Sequence, residues 1–280
     1  MADLNRKIDF VALISVNMAN SNGDPLDGNR PRTDYNGYGE ISDVCIKRKI
    51  RNRMQDMGQR VFVQSSDRSD DGNTSLAARA KKVLGEPKKD TNADEFARQA
   101  CEAFIDVRSF GQVFAFFDKF SCGVRGPVSI HQAVSVSPIE VISQQITKSV
   151  NGTEKEGRSS DTMGMKHMVR FGLYVLKGSI NVQLAEKTGF SFEDAEILKE
   201  CLRTLFQNDA SSARPEGSME VCKLYWFEHN NKSGQYSSAK VHRSIHITEK
   251  NPGSIPTSID DYEITVEPLE GLKVECIDGE

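Results

Sequence analysis

No apolar run in the 280 residues approaches the ~18–20 needed to cross a bilayer, and the mean hydropathy is −0.49. The first ten residues, Met1 to Phe10, mix charges of both signs and lead straight into strand-like sequence, so a signal peptide is not expected and the chain reads as cytoplasmic. Cysteine pairs are missing as well. Cys45, Cys101, Cys122, Cys201, Cys222 and Cys276 are scattered with no Cys-x-x-Cys, which argues against a disulfide scaffold or a structural zinc site. There is no P-loop, no Gly-x-Ser-x-Gly and no Gly-x-Gly-x-x-Gly after the first strand. Nor is there an overall basic excess, for the net charge is −4.

What is present is asymmetric. Residues 1–180 carry 26 Lys/Arg against 22 Asp/Glu, whereas residues 181–280 carry 10 against 18. A mildly basic front thus precedes an acidic tail. Hydrophobic residues at 38% and charged ones at 27% fit a folded chain with a buried core.

Period-two apolar positions Ile8, Phe10, Ala12, Ile14 and Val16, with Val11 and Leu13 on the other face, predict a central strand. A Gly/Asn/Asp/Pro loop from Met18 to about Glu40 follows. Ser42 or Asp43 then caps a helix that runs to Met57 and stops at Gly58. Arg60–Gln64 reads as a short strand, so the order opens like half of a ferredoxin-like arrangement. Two helical patterns, Leu76–Leu84 and Phe96–Ile105, make residues 65–108 a helical insertion. Strands are expected at Val128–Val136 and Ile139–Val150, with the polar stretch Asn151–Thr162 as the tip of a long hairpin. Further strands are expected around Val169–Val175, Ile180–Leu184, Val221–Glu228, Lys240–Thr248 and Tyr262–Val266. Ser191 caps a helix with the stripe Ala195, Leu198, Leu202 and Leu205. The class is α+β.

The chemistry concentrates in the helix at 42–57. Ile46, Ile50, Met54 and Met57 fall in one sector; Lys47 and Arg51 lie along one flank, with Arg48 beyond them, and Lys49 and Arg53 lie on the other. No acid stands between Val44 and Gln55 to balance these five cations. Arg125, in the glycine-bearing turn Gly123–Pro127, offers a second place where a phosphate backbone could approach. Asp24, Asp27 and Asn29 do not follow calcium-loop spacing, and turn chemistry explains that stretch without a metal. His242 and His246, if on a strand, stand about 13 Å apart and cannot share one ion.

Several segments together resemble a known family. They are Asn20–Arg32, Asp43–Asn52, Asp106–Gly111, Val124–Val128, Asp161–His167, Phe171–Val175 and Thr188–Ser191. In this order and spacing they resemble the CRISPR-associated Cascade backbone subunit of type I-C systems, from about residue 8 to 248. The chain departs from that pattern at Met165, at Arg170-Phe171 and in Ala210–Gly217.

The resemblance implies an RRM-like, ferredoxin-like palm (1–64, 109–139 and 169–280), a helical finger insertion (65–108) and a long hairpin thumb (140–168). It implies a non-enzymatic protein without metal or cofactor. Its partners would be CRISPR RNA (crRNA), the target DNA strand through the crRNA duplex, further copies of itself stacked head to tail, and other Cascade subunits, with no membrane. Lys47, Arg48, Arg51, Arg125, Lys166 and His167 are the expected RNA contacts. The alternative is RNA cleavage by the loop aspartate Asp24, as in backbone subunits of the related type III complexes.

Overall fold

The computed structural model describes residues 2–147 and 163–280; the expected hairpin tip at Asn151–Thr162 lies outside the described residues. The chain opens with β1 (Ile8–Ala19), a small clip of β2 (Gly23–Asp24) and β3 (Arg30–Pro31), then β4 (Tyr38–Ile41) and helix α1 (Asp43–Asp56). Helices α2 (Leu76–Leu84), α3 (Ala93–Ala103) and α4 (Ile105–Phe110) follow, with the hairpin β5 (Gly111–Phe117) and β6 (Phe120–Arg125). Next come β7 (Val128–Ile130), β8 (Ala133–Pro138), β9 (Val141–Thr147) and the long β10 (Met163–Ile180). The remainder is α5 (Val182–Thr188), α6 (Phe192–Arg203), β11 (Met219–Glu228), α7 (Ser238–Arg243), β12 (Ile245–Glu249), β13 (Tyr262–Val266) and β14 (Lys273–Asp278).

The class is mixed α+β, dominated by one large antiparallel sheet in the order β14-β11-β1-β10-β8-β4, with β7 and β9 also paired to β10. β1 is the central strand that its sequence predicts. It pairs with β10 from Ile8↔Ile180 to Ala19↔Val169 and with β11 on its other side. Its alternate residues serve two cores. Phe10, Ala12, Ile14 and Val16 pack beneath α1 and α6, against Ile46, Ile50, Leu198 and Leu202. Val11 and Leu13 face Tyr225, Phe227, Val241 and Tyr262 on the opposite side. Burial on both faces explains why β1 lacks a polar alternate row.

A third core is largely aromatic. Phe62, Phe96, Phe104, Phe114 and Phe120 pack together, with ring centroids 5.1 Å apart for Phe62–Phe104 and 4.9 Å for Phe96–Phe120. The β5–β6 hairpin belongs to this core, which therefore reaches past residue 108. The expected helix at Phe96–Ile105 is divided at Phe104, whose extended backbone (φ −134°, ψ 121°) ends α3 while its ring enters the aromatic core.

Three expected strands are corrected. Residues 60–64 form no strand, because the Asp106 carboxylate accepts the Phe62 and Val63 amides (2.7 and 3.1 Å) that a ladder would use. Val61 and Phe62 are instead buried in two different cores. The segment from Val182 is a helix: Asn181 accepts the Leu184 amide, Val182 and Ala185 recur at helical spacing, and Gly189 ends it at φ +73°. Residues 238–243 are also helical, capped by Ser237, and only Ile245–Glu249 is strand. His242 thus lies on a helix, with Nε2 3.0 Å from the Gly178 carbonyl, while His246 is exposed on β12. β14, not expected from the sequence, edges the sheet beside β11.

Candidate nucleic-acid interface

α1 is anchored at its N-terminus and along its inner face before its charges are considered. The Ser42 amide and hydroxyl both donate to Asn22 Oδ1 at 2.9 Å, and Ser42 Oγ accepts the Cys45 amide at 3.3 Å. The loop after β1 is thereby tied to the helix N-terminus. Ile46, Ile50 and Met54 bury the inner face.

The five cations of the helix find very different partners. Arg51 Nε donates to Asp106 at 2.8 Å, its guanidinium lies 5.1 Å from the Phe110 ring centroid, and Asp106 is fully buried. Arg53 is buried and donates to Thr204, Gln207 and Asp56. Lys49, also buried, pairs with Asp209; burial pulls its pKa below the ordinary lysine value, opposed by that carboxylate. Lys47 makes a surface pair with Asp43 at 3.0 Å. Arg48 donates to the Val63 carbonyl at 2.7 Å and has no carboxylate within ion-pair distance among the described residues. Burial, and next the Arg51 cation, pull its pKa down.

The expectation of an unbalanced cationic flank is therefore corrected. Asp106 and Asp209, distant in sequence, neutralise Arg51 and Lys49, so Arg51 stands as a strut inside the molecule. Arg48 remains as the cation without an acid.

Arg48 opens on a groove of about 310 Å3 between α1, residues 65–68 and residues 208–214. Sequence reasoning missed Arg68 and Arg214 in its wall, and Asn52 one turn beyond Arg48. Asp209 faces both Lys49 and Arg214, the latter at 3.1 Å, so one carboxylate serves two cations. Asn208 sits in the left-handed region at φ +57° and turns this loop toward the helix. The signal for Arg214 was its place in a short polar, proline-bearing loop after α6, where the chain departs from the pattern of the family it resembles.

The remaining expected contacts divide into two places. His167 on β10 shares a hydrogen bond with Ser143 Oγ through Nδ1 (2.8 Å), and Arg30 donates to the same hydroxyl at 3.1 Å. The β2–β3 clip is so joined to the base of the β9–β10 ribbon. Lys166, its neighbour, is half-buried and has no ion pair among the described residues. Arg125 is exposed on β6, opposite Gly111 of β5, and makes no ion pair among the described residues. Gly126 beside it does permit a close approach, but to the chain itself: a Cβ there would stand 2.3 Å from the Ser109 carbonyl.

Asp24 is held by the clip, Oδ1 accepting the Leu26 amide at 3.0 Å and Oδ2 facing Arg32 at 3.4 Å. No group of three or more His, Cys, Asp or Glu placed to hold a metal occurs among the described residues, and no described helix is long and apolar enough to cross a membrane.

Residues 6–267 match the family model described as CRISPR-associated protein Cas7. A curated relative, the CRISPR-associated protein Cas7 of Haloferax volcanii, is 27% identical over 237 residues, covering 76% of this chain and 68% of that protein. A chain of a solved "CRISPR RNA-guided surveillance complex, pre-nicking" aligns with TM-score 0.48 and 18% identity over 79% of this chain and 78% of its own. A second, from a "CRISPR RNA-guided surveillance complex", gives 0.44 and 18% over 79% and 68%. Matched by the family model through its sheet, its cationic helix and nearly all of its length, the chain belongs to the CRISPR-associated Cas7 family.

Proposed function

We propose that this protein is a backbone subunit of a CRISPR RNA-guided surveillance complex, of type I-C as its motifs suggest. The large sheet serves as an RRM-like palm, α2 and α3 as fingers, and the β9–β10 ribbon as the base of a thumb. Copies stack head to tail along the spacer part of the crRNA and present it to target DNA, with other Cascade subunits completing the assembly.

The observation that carries this reading is Arg48, a half-buried guanidinium without an acid partner at the mouth of a groove that also holds Arg68 and Arg214. A scaffold that accepts any spacer must hold phosphate and sugar and leave base edges free. A cation whose only bond among the described residues is to a carbonyl, in surroundings that disfavour its charge, gains most from an incoming phosphate. Lys47, on the exposed side, and Lys166 and His167 at the ribbon base extend the track.

Co-expression with crRNAs of two spacer lengths, followed by native mass spectrometry, tests this. The reading expects one defined RNA-bound mass for each length, larger for the longer spacer by whole subunits. A mass independent of RNA length would contradict it.

A further inference from the structure

The end of β1 carries a backbone irregularity that packing does not explain. Among the described residues, three that are not glycine have positive φ: Met18 at +52°, Asn29 at +62° and Asn208 at +57°. Asparagine tolerates the left-handed region through its short polar side chain, whereas a longer side chain crowds the following carbonyl there. Met18 is the exception of the three. It gains no burial in return, being 41% exposed and a member of none of the three cores. A single exposed apolar side chain is ordinary, and so is a left-handed backbone where glycine or asparagine stands. Exposure and strain together point to a contact that this side chain makes outside the chain.

Its position narrows the partner. Past the Val16↔Met219 rung, β1 turns from β11 to the loop before it. The Asn17 amide donates to the Ser218 carbonyl at 2.8 Å, and the Asn20 amide to the Ala213 carbonyl at 2.9 Å. Met18 is thereby set beside the 213–218 loop, whose Arg214 lines the groove of Arg48. On its other side it lies between the rungs Asn17↔Phe171 and Ala19↔Val169 of β10. His167 follows Val169 by two residues, about 7 Å along the strand, with Lys166 next to it. An apolar side chain thus stands at the surface between two sets of cationic and polar ones.

A single strand crossing from the groove to the ribbon base would offer phosphates to the cations and bases to the gap between them. A thioether is polarizable and has three rotatable bonds, so it can pack on the face of any base. Such packing uses no base edge and tolerates every sequence. Resting on the RNA-scaffold reading above, we infer that Met18 is a base-packing residue: its thioether lies on the face of one nucleobase of the bound strand. The subunit then distinguishes a strand that carries bases from a bare sugar-phosphate chain, whatever the base sequence.

The test is fluorescence anisotropy of the full chain with a short labelled oligoadenylate and with an abasic ribose-phosphate strand of the same length. The parent should hold the oligoadenylate more tightly. Met18→Asn, which suits the left-handed backbone, should raise Tm by about 2 °C. It should weaken the oligoadenylate about fivefold and leave the abasic strand unchanged. Met18→Leu, similar in volume, should keep most of the preference. A parent that holds both strands equally, or a Met18→Asn variant that weakens both alike or neither, would overturn the inference while leaving the scaffold reading intact. A lower Tm for Met18→Asn would overturn it too, by showing that the thioether serves the fold. Failure of the parent to bind either strand would overturn both.

Discussion

Asp106 links more of this molecule than any other acid around α1: it accepts two backbone amides and the Arg51 guanidinium from full burial. Removing Arg51 would strand that carboxylate, so Arg51→Ala is expected to cost about 3 kcal/mol in urea unfolding. Arg48→Ala, with no acid left behind, should leave the midpoint nearly unchanged. Equal losses for the two would contradict the division of these arginines into strut and ligand contact.

On the opposite face of the sheet, Asp9 is fully buried against Lys7 and His229, both near 2.9 Å, with His242 at 4.0 Å. Burial raises the Asp9 pKa, but His229, Ser238 and Lys7 outweigh it and hold the carboxyl below its ordinary value. Burial lowers the His242 pKa below 6.5. Below that pH the unfolded chain takes up a proton that the folded His242 refuses, so stability falls as pH drops from about 6.5. His242→Gln, which keeps a donor for the Gly178 carbonyl, should flatten the fall in Tm between pH 7 and 5.5. An unchanged slope would place the titration elsewhere. Asp24, engaged by Leu26 and Arg32, is a turn residue by its contacts. Assembled complex incubated with complementary RNA and a divalent metal should therefore give no regularly spaced cuts; cuts abolished by Asp24→Ala would establish the enzymatic alternative.

At the scale of elements, strong periodicity was legible and tertiary chemistry was not. The alternation in β1, the caps and stripes of α1 and α6, and the bounds of α2 follow from residues close in sequence. The strand expected at 60–64 fails because its amides belong to Asp106, more than forty residues away. The pattern Ile180, Val182, Leu184 fits period two over three positions, and Asn181 with Gly189 decides for a helix. β14 alternates Lys273 and Glu275 with Val274 and Cys276 on a largely exposed sheet edge, a period-two pattern too short to announce a strand. Likewise, the candidate site was half legible. The cationic run in α1 is visible in sequence, yet which cations are spent on Asp106 and Asp209 depends on contacts between distant segments.

The β9–β10 ribbon projects with exposed residues on β9 and little of the core beneath it. Replacing residues 145–162 with a short Gly-Ser link should leave circular dichroism and thermal melting close to the parent, because β1, β11 and the helices keep their packing. Assembly on RNA should fail, giving single subunits or irregular aggregates by analytical ultracentrifugation. A complex of normal size would show that the ribbon is dispensable for stacking.

The molecule as a whole carries −4, yet Arg48, Arg68 and Arg214 gather in one groove on its surface. Local charge governs contact with a polyanion, because exposed charges farther apart than roughly 8 Å are largely screened at physiological salt. A subunit of this kind binds an arbitrary guide by its backbone, so sequence independence and salt sensitivity belong together. The direct measurement is the affinity of the parent and of Lys47→Glu with Arg48→Glu for several unrelated guide sequences over a range of salt. The scaffold account predicts the same weakening for every sequence, with the salt slope reduced by about 0.7 for each phosphate that the variant no longer neutralises. Weakening confined to some sequences, or an unchanged slope, would show that these residues read bases or touch no RNA, and would contradict it.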